Sequence, residues 1–383
     1  MPDRAPRRTL IVACLAHALH DGYTDSLYVL LPVWQAEFGL GYAGLAVVRG
    51  LYYGVMAGAQ VPVDHAVGRA GPRANLVAGT AVAAGGYAIA GATHSLAGLC
   101  VGLVVCGLGS SVQHPQGSRA VAEAYGAKSR GPLGTYNFAG DLGKAAVPAA
   151  ASLLLVALPW RSVAWSLGGL GAAVAAVVAL AMPTMIAPPV DARSTDRGGN
   201  RGGFSLLLAV GMLDTAARMG YLLFLPFLLR RQGGGGPTTG IGLALLFAGG
   251  AAGKFACGWL GGWFGLLGTV AVTEAATAAL ILATIRTPLP VTMCLLPLLG
   301  VVLNGTSSVL YGAVPDLAKP GAAGRAFALF YTGVIGAGAL APVAYGALGD
   351  HAGQTVALVA SALTALATLP LAVAVTARMR RVT

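Results

Sequence analysis

The stretch HALHDGYTDSLYVLLP, residues 17–32, decides what kind of molecule this is. It lies inside an apolar run from Leu10 to Trp34, long enough as a helix to cross a bilayer. A span that only held the chain in lipid would not carry His17, Asp21 and Asp25. These three lie four residues apart, so a helix sets them on one face. A charged side chain inside a bilayer costs about 2.5–3.5 kcal/mol on the insertion scale, so such residues face a wet cavity or a partner. Carboxyl groups shielded from water and histidines exchange protons near neutral pH. The face therefore suits a proton relay or a contact with a charged substrate.

Composition extends this reading to the whole chain. Of 383 residues, 56% are hydrophobic and 10% charged, against about 25% charged in a soluble domain. So few charges cannot cover a water-facing surface of this size, and the solvent must be largely lipid. The net charge of +11 does not point to nucleic acid. The basic residues sit in short loops between apolar runs and form no patch with interleaved aromatics. The five cysteines all fall in apolar spans without a CxxC, as small packing residues do. Arg4, Arg7 and Arg8 precede a run too long and too acidic for a signal peptide, which reads as the first membrane helix. No nucleotide motif or nucleophile constellation is present, so neither an enzyme nor a cofactor is expected.

Apolar windows of about 20 residues mark twelve spans, near 9–32, 42–65, 74–94, 96–118, 131–158, 162–184, 204–229, 238–265, 267–286, 290–314, 322–348 and 353–376. The expected fold class is an all-α membrane protein of twelve transmembrane helices in two six-helix repeats. Residues 1–186 form the first half and 204–383 the second. The polar stretch APPVDARSTDRGGNRGG, 187–203, is the cytoplasmic linker. With the N-terminus inside, cytoplasmic segments hold sixteen Lys and Arg and outer segments four. Both termini are thus expected in the cytoplasm of a bacterium, with the chain in its inner membrane.

The halves echo each other. GLGSSV (107–112) matches NGTSSV (304–309), LYVLLP (27–32) resembles YLLFLP (221–226), and AGDLGKAAVP (139–148) runs parallel to TGVIGAGALAP (332–342). These are spans six apart and equally oriented, the parallel repeat of the major facilitator architecture. The loop QVPVDHAVGRAGPR (60–73) resembles the G-x-x-x-D-R-x-G-R-R loop of facilitators, keeping Asp64, Gly68, Arg69 and Arg73. That resemblance implies that Asp64, with Arg69, latches the cytoplasmic gate by facing a helix N-terminus. GLGSSVQHPQGSRAVA (107–122), His17 with Asp21, and Asn137, Phe138, Gly140 and Gly143 resemble the fosmidomycin-resistance branch of the superfamily. The resemblance implies a proton-driven efflux carrier. Asp141 and Lys144 depart from the small or neutral residues expected there, so the substrate is expected to differ from that branch's phosphonate antibiotic.

The remaining intramembrane polar residues fall into groups. Asp141 and Lys144 are three apart in span 5, and Asp214 and Arg218 four apart in span 7, so each couple can pair within its helix. The other reading is that the cation holds an anionic group while the acid exchanges protons. Arg49 and Lys254 have no local acid. Tyr136, Asn137, Asn304 and Tyr311 are cavity-type polar residues. His114, before Pro115, reads as a hinge or cap, and Glu274 as a structural partner. Asp21, His17, Asp25 and Asp214 are the candidates for proton coupling. Arg49, Tyr136, Asn137, Asp141, Lys144, Arg218, Lys254 and Asn304 are the candidates for substrate binding.

The functional expectation is a proton-coupled exporter of small, anionic organic compounds, acting as a monomer in lipid. Its partners are the substrate and protons. The alternative is a proton-coupled importer of an organic acid. A metal carrier using Cys14, His17, His20 and Asp21 is the weakest reading, because His20 points about 60° away from a shared site.

Overall fold

The structure, a computed structural model, describes residues 4–67, 70–184, 201–317 and 323–379, and these are helical apart from short turns. The order is α1 (Arg4–Phe38), α2 (Tyr42–Val67), α3 (Gly71–Ala92), α4 (Leu96–Ser110), α5 (Gln113–Tyr125), α6 (Arg130–Ala157), α7 (Trp160–Ala181), α8 (Arg201–Arg231), α9 (Gly236–Arg286), α10 (Leu289–Leu317), α11 (Ala323–Ala352) and α12 (Gln354–Met379). The twelve expected spans are all present, but two boundaries differ from those read in the sequence. Span 4 is broken into α4 and α5. Pro115 lacks an N–H and cannot continue the ladder, so the chain restarts with it in the first turn of α5. Spans 8 and 9 form one α9, bent at Gly265, whose φ of 64° only glycine adopts readily.

Nine helices among the described residues are long and apolar enough to cross a membrane. The burial pattern agrees with a lipid solvent. Leu180, Leu340, Val156 and Leu153 point outward, while Asp21, Asp25, Arg49, Asp214 and Glu274 are buried. Polar inside and apolar outside reverses the arrangement of a soluble protein.

The chain divides into two compact units. One holds Met1–Gly39, Val47–Pro189 and Gly235–Ala244, and the other Leu40–Ala46, Val190–Gly234 and Leu245–Thr383. In the first, α1 packs along α6, with α5 and α7 beside it, and α3 lies between α4 and α7. Gly143 brings α6 against the Ala18 backbone of α1, where even a Cβ would collide with the carbonyl. In the second, α8 packs on α12, α11 and α10. Its core joins Leu207, Val210, Val270, Leu310, Val314, Phe330 and Val375. The expected linker lies almost wholly outside the described residues.

Candidate functional site

In the first unit the site grows from one carboxylate. Asp21, on α1, is 7% exposed. Lys144 of α6 places Nζ 3.2 Å from its Oδ2. His17, one turn earlier on α1, places Nε2 3.4 Å from the same oxygen. His114, from the first turn of α5, places Nε2 3.5 Å from Oδ1. Three side chains able to carry positive charge thus converge on one acid. The close approach of α6 makes this reach possible, since Gly140 faces Asp21 and His17 directly.

His17 is held in one orientation. Its ring stacks on Tyr136 at 4.1 Å and meets His114 edge-on at 5.0 Å. Its Nδ1 lies 2.8 Å from the Tyr136 carbonyl. A carbonyl only accepts, so Nδ1 carries the hydrogen. Neutral His17 then turns a lone pair toward the Asp21 carboxylate. Only the doubly protonated ring donates to it. Asp21 is sealed, yet the side chains of His114 and Lys144 are 40% and 30% exposed. The carboxylate thus lies behind two partly exposed side chains.

The expected local pair of Asp141 and Lys144 is present, and Lys144 also makes a contact between helices. Lys144 is 4.0 Å from Asp141 but nearer to Asp21. Asp141 is buried and Asn137, a turn earlier on α6, is exposed. Tyr136 is buried and accepts a hydrogen bond from Gln113 at 3.0 Å. Arg49 is 1% exposed, with its guanidinium 4.5 Å from the Tyr28 ring and 5.1 Å from that of Tyr53. Cation–π contact on two rings holds it inside the unit. Asp25 is buried one turn beyond Asp21.

His114 is the residue whose part sequence reasoning missed. It does stand at the helix break, as a hinge reading expects. That break also turns its ring onto Asp21, which no local spacing reveals. The metal reading does not gather its expected donors. His20 gives one nitrogen to Ser110 at 2.9 Å and the other to Thr80 at 3.0 Å. The donors that do meet, His17, Asp21 and His114, share their carboxylate with the Lys144 ammonium, which a divalent ion would face at close range.

In the second unit Asp214 and Arg218 share a face of α8. Arg218 donates to Asn304 Oδ1 of α10 at 3.2 Å and to Thr215 Oγ1 at 3.5 Å. Asp214 and Glu274, the latter on the second stretch of α9, are both buried. Lys254 stands half-buried on the first stretch of α9 and Tyr311 half-buried on α10. Of the expected gate, Arg69 and the Asp64 side chain lie outside the described residues. Arg73 ties α3 to the end of α7 through Thr184 Oγ1 at 2.7 Å.

The described residues thus form a bundle of long apolar helices with charges buried in each unit. The model of the Major Facilitator Superfamily matches residues 13–342, and the chain belongs to that family. The fold is that of two solved carriers. A bacterial homologue of the human lysosomal transporter Spinster, inward-facing and unoccupied, superposes with TM-score 0.75 at 15% identity, over 98% of this chain and 96% of that one. The nucleoside transporter NupG superposes with TM-score 0.78 at 12% identity, over 98% and 100%. Among curated proteins, a probable L-galactonate transporter of Escherichia coli (strain K12) is 28% identical over 170 residues. The match covers 43% of this chain and only 37% of that relative's length.

Proposed function

We propose that this protein is a proton-coupled carrier of small organic anions. It works as a monomer in a bacterial inner membrane with both termini in the cytoplasm, and its halves are residues 1–186 and 204–383. One observation carries the reading. The fixed cation Lys144 and the two histidines converge on Asp21, and the cation is partly open to the outside of its unit.

Charge balance supplies the coupling. An anion drawn to Lys144 takes away the cation nearest Asp21. The buried carboxylate is then left uncompensated, which is expensive. A proton on His17 or on Asp21 itself restores neutrality. Anion and proton therefore bind together and leave together, and an inward proton gradient drives uptake. The L-galactonate relative favours sugar acids and similar carboxylates as the substrate class. Export is the second reading, favoured by the span-4 resemblance in residues 107–122.

The test uses proteoliposomes and a panel of sugar acids, other carboxylates and phosphonates, read by counterflow and by pH-driven accumulation. Acid on the substrate side should drive accumulation of at least one anion. Asp21→Asn should abolish that accumulation and retain exchange. Wild-type accumulation by the Asn variant would remove Asp21 from the coupling. Accumulation only against the opposite gradient would establish export.

A further inference from the structure

Two helices begin in one unit and continue in the other. The second unit takes in Leu40–Ala46, the opening of α2, and the first takes in Gly235–Ala244, the opening of α9. The repeat relates these openings, which start spans 2 and 8. They are held by different chemistry.

The first turn of a helix leaves its N–H groups without partners inside the helix. The helix α2 brings no cap of its own. The Gly41 carbonyl accepts the first helical bond, from Leu45 at 3.0 Å. Gly41 is thus the cap position and has no side chain to offer. No acid stands in the first turn either. Asp350, in the last turn of α11, supplies the cap from far along the chain. Its Oδ1 accepts from the Tyr42 N–H at 2.6 Å and its Oδ2 from the Ala43 N–H at 3.0 Å. The backbones approach closely to allow it. A Cβ on Gly41 would sit 2.7 Å from Oδ2, and one on Gly346 would meet the Ala43 backbone at 2.7 Å. Tyr42 adds an apolar hold, with its ring edge-on to Phe224 and Phe227 of α8 at 5.0 Å from each.

Asp350 is poorly placed for its own helix, because an acid in the last turn opposes the helix dipole. The N-terminus of α2 offsets that conflict. Asp350 is also exposed, so water can replace both bonds when they break. The opening of α9 is held by a neutral, sealed group instead. Ser152 of α6 is 0% exposed. Its hydroxyl donates to the Gly236 carbonyl at 2.7 Å and accepts from the Gly240 N–H at 3.2 Å. Breaking those bonds would strand buried polar groups, which is costly.

We propose that Asp350 is a releasable latch on the opening of α2. Its carboxylate holds the first turn of α2 on α11, and exchange of the two bonds for water lets that turn go. Ser152 is the fixed counterpart on α9. The use of the latch in changing access rests on the carrier reading, but not on the coupling at Asp21.

Hydrogen–deuterium exchange of the purified full-length protein in lipid nanodiscs, without substrate, tests it by comparing segments 40–46 and 236–244. In the wild type, 40–46 should exchange faster. Asp350→Ala should speed 40–46 about fivefold, the equivalent of a lost cap, and leave 236–244 unchanged. Asp350→Asn keeps one acceptor oxygen and should fall between. Equal exchange of 40–46 in wild type and Asp350→Ala removes the latch. Wild-type exchange in 40–46 as slow as in 236–244 makes the contact fixed and overturns its release. Faster exchange of both segments in Asp350→Ala means general loosening and overturns the assignment too. Neither substrate nor proton gradient is present, so failure of the transport reading leaves each outcome standing.

Discussion

One position, related by the repeat, is built in opposite ways in the two halves. On α1 it holds His20, pinned between Ser110 and Thr80. On α8 it holds Asp214, a buried acid with Arg218 a turn away. In the first unit the buried acid stands one residue along, at Asp21, about 100° round α1. There it meets Lys144 and His114, both partly exposed. The second unit has its buried acid at the repeat position, with Arg218 half-buried beside it. The duplicated scaffold thus tolerates either a neutral hydrogen-bonded histidine or a charged cluster at one depth. Which charged side chains are exposed depends on the neighbouring helices and not on the repeat.

The largest effect that would break this contrast is expected at the Asp21–Lys144 contact. Lys144→Gln leaves a buried carboxylate short of its nearest fixed cation, at a cost of about 3–5 kcal/mol. Thermal unfolding in detergent should show a clear loss. The double variant Asp21→Asn, Lys144→Gln should regain most of it while remaining uncoupled. The Asp141→Asn, Lys144→Gln double should regain less, because Lys144 lies nearer to Asp21. Equal recovery by the two doubles would restore the pair within α6 as the main one.

A smaller effect concerns backbone approach. Gly143→Ala pushes a methyl into the Ala18 backbone, and overpacking of this kind costs about 1–3 kcal/mol. Gly336, its counterpart on α11, has open space at the same place. Gly336→Ala should be neutral or stabilising by up to about 1 kcal/mol, the helix preference of alanine over glycine. Similar losses for both would mean that the halves pack alike at spans 5 and 11.

The smallest expected effect lies outside the membrane-spanning segments of the first unit. Glu37 accepts from Arg161 at 2.7 Å and from Trp160 at 3.3 Å. These hydrogen bonds, the Arg161 bond foremost, hold its carboxyl below the usual glutamate range. A lowered acid contributes stability above its unfolded pKa and loses it as pH falls through the folded one. The contact is largely exposed, so screening keeps its worth under about 1 kcal/mol. The Tm difference between wild type and Glu37→Gln should be small at neutral pH and vanish in acid. A difference that grows in acid would reverse the sign.

The lipid setting, the spans and the repeat were legible because each is written along a single helix. Apolar length, basic loops and a residue offset need no neighbour to be read. The face of His17 and Asp21 was legible for the same reason, since four-residue spacing is a property of one helix. The partners were less so. Lys144 was matched with Asp141, the acid on its own helix, and its contact with Asp21 crosses from α6 to α1. His114 was read through Pro115 as a hinge, and nothing local showed that the break aims its ring at α1. Glu274 was read as a structural partner, and its span alone could not show which neighbours bury it.

By itself the sequence determined a chain of spans with charges too costly to sit idle in lipid, because insertion energy acts on each helix alone. Only the tertiary structure decided which charge neutralises which. An ion pair is settled within about 4 Å, the reach of an ion-pair contact. That distance depends on how closely α6 approaches α1, and on where α5 restarts after its break.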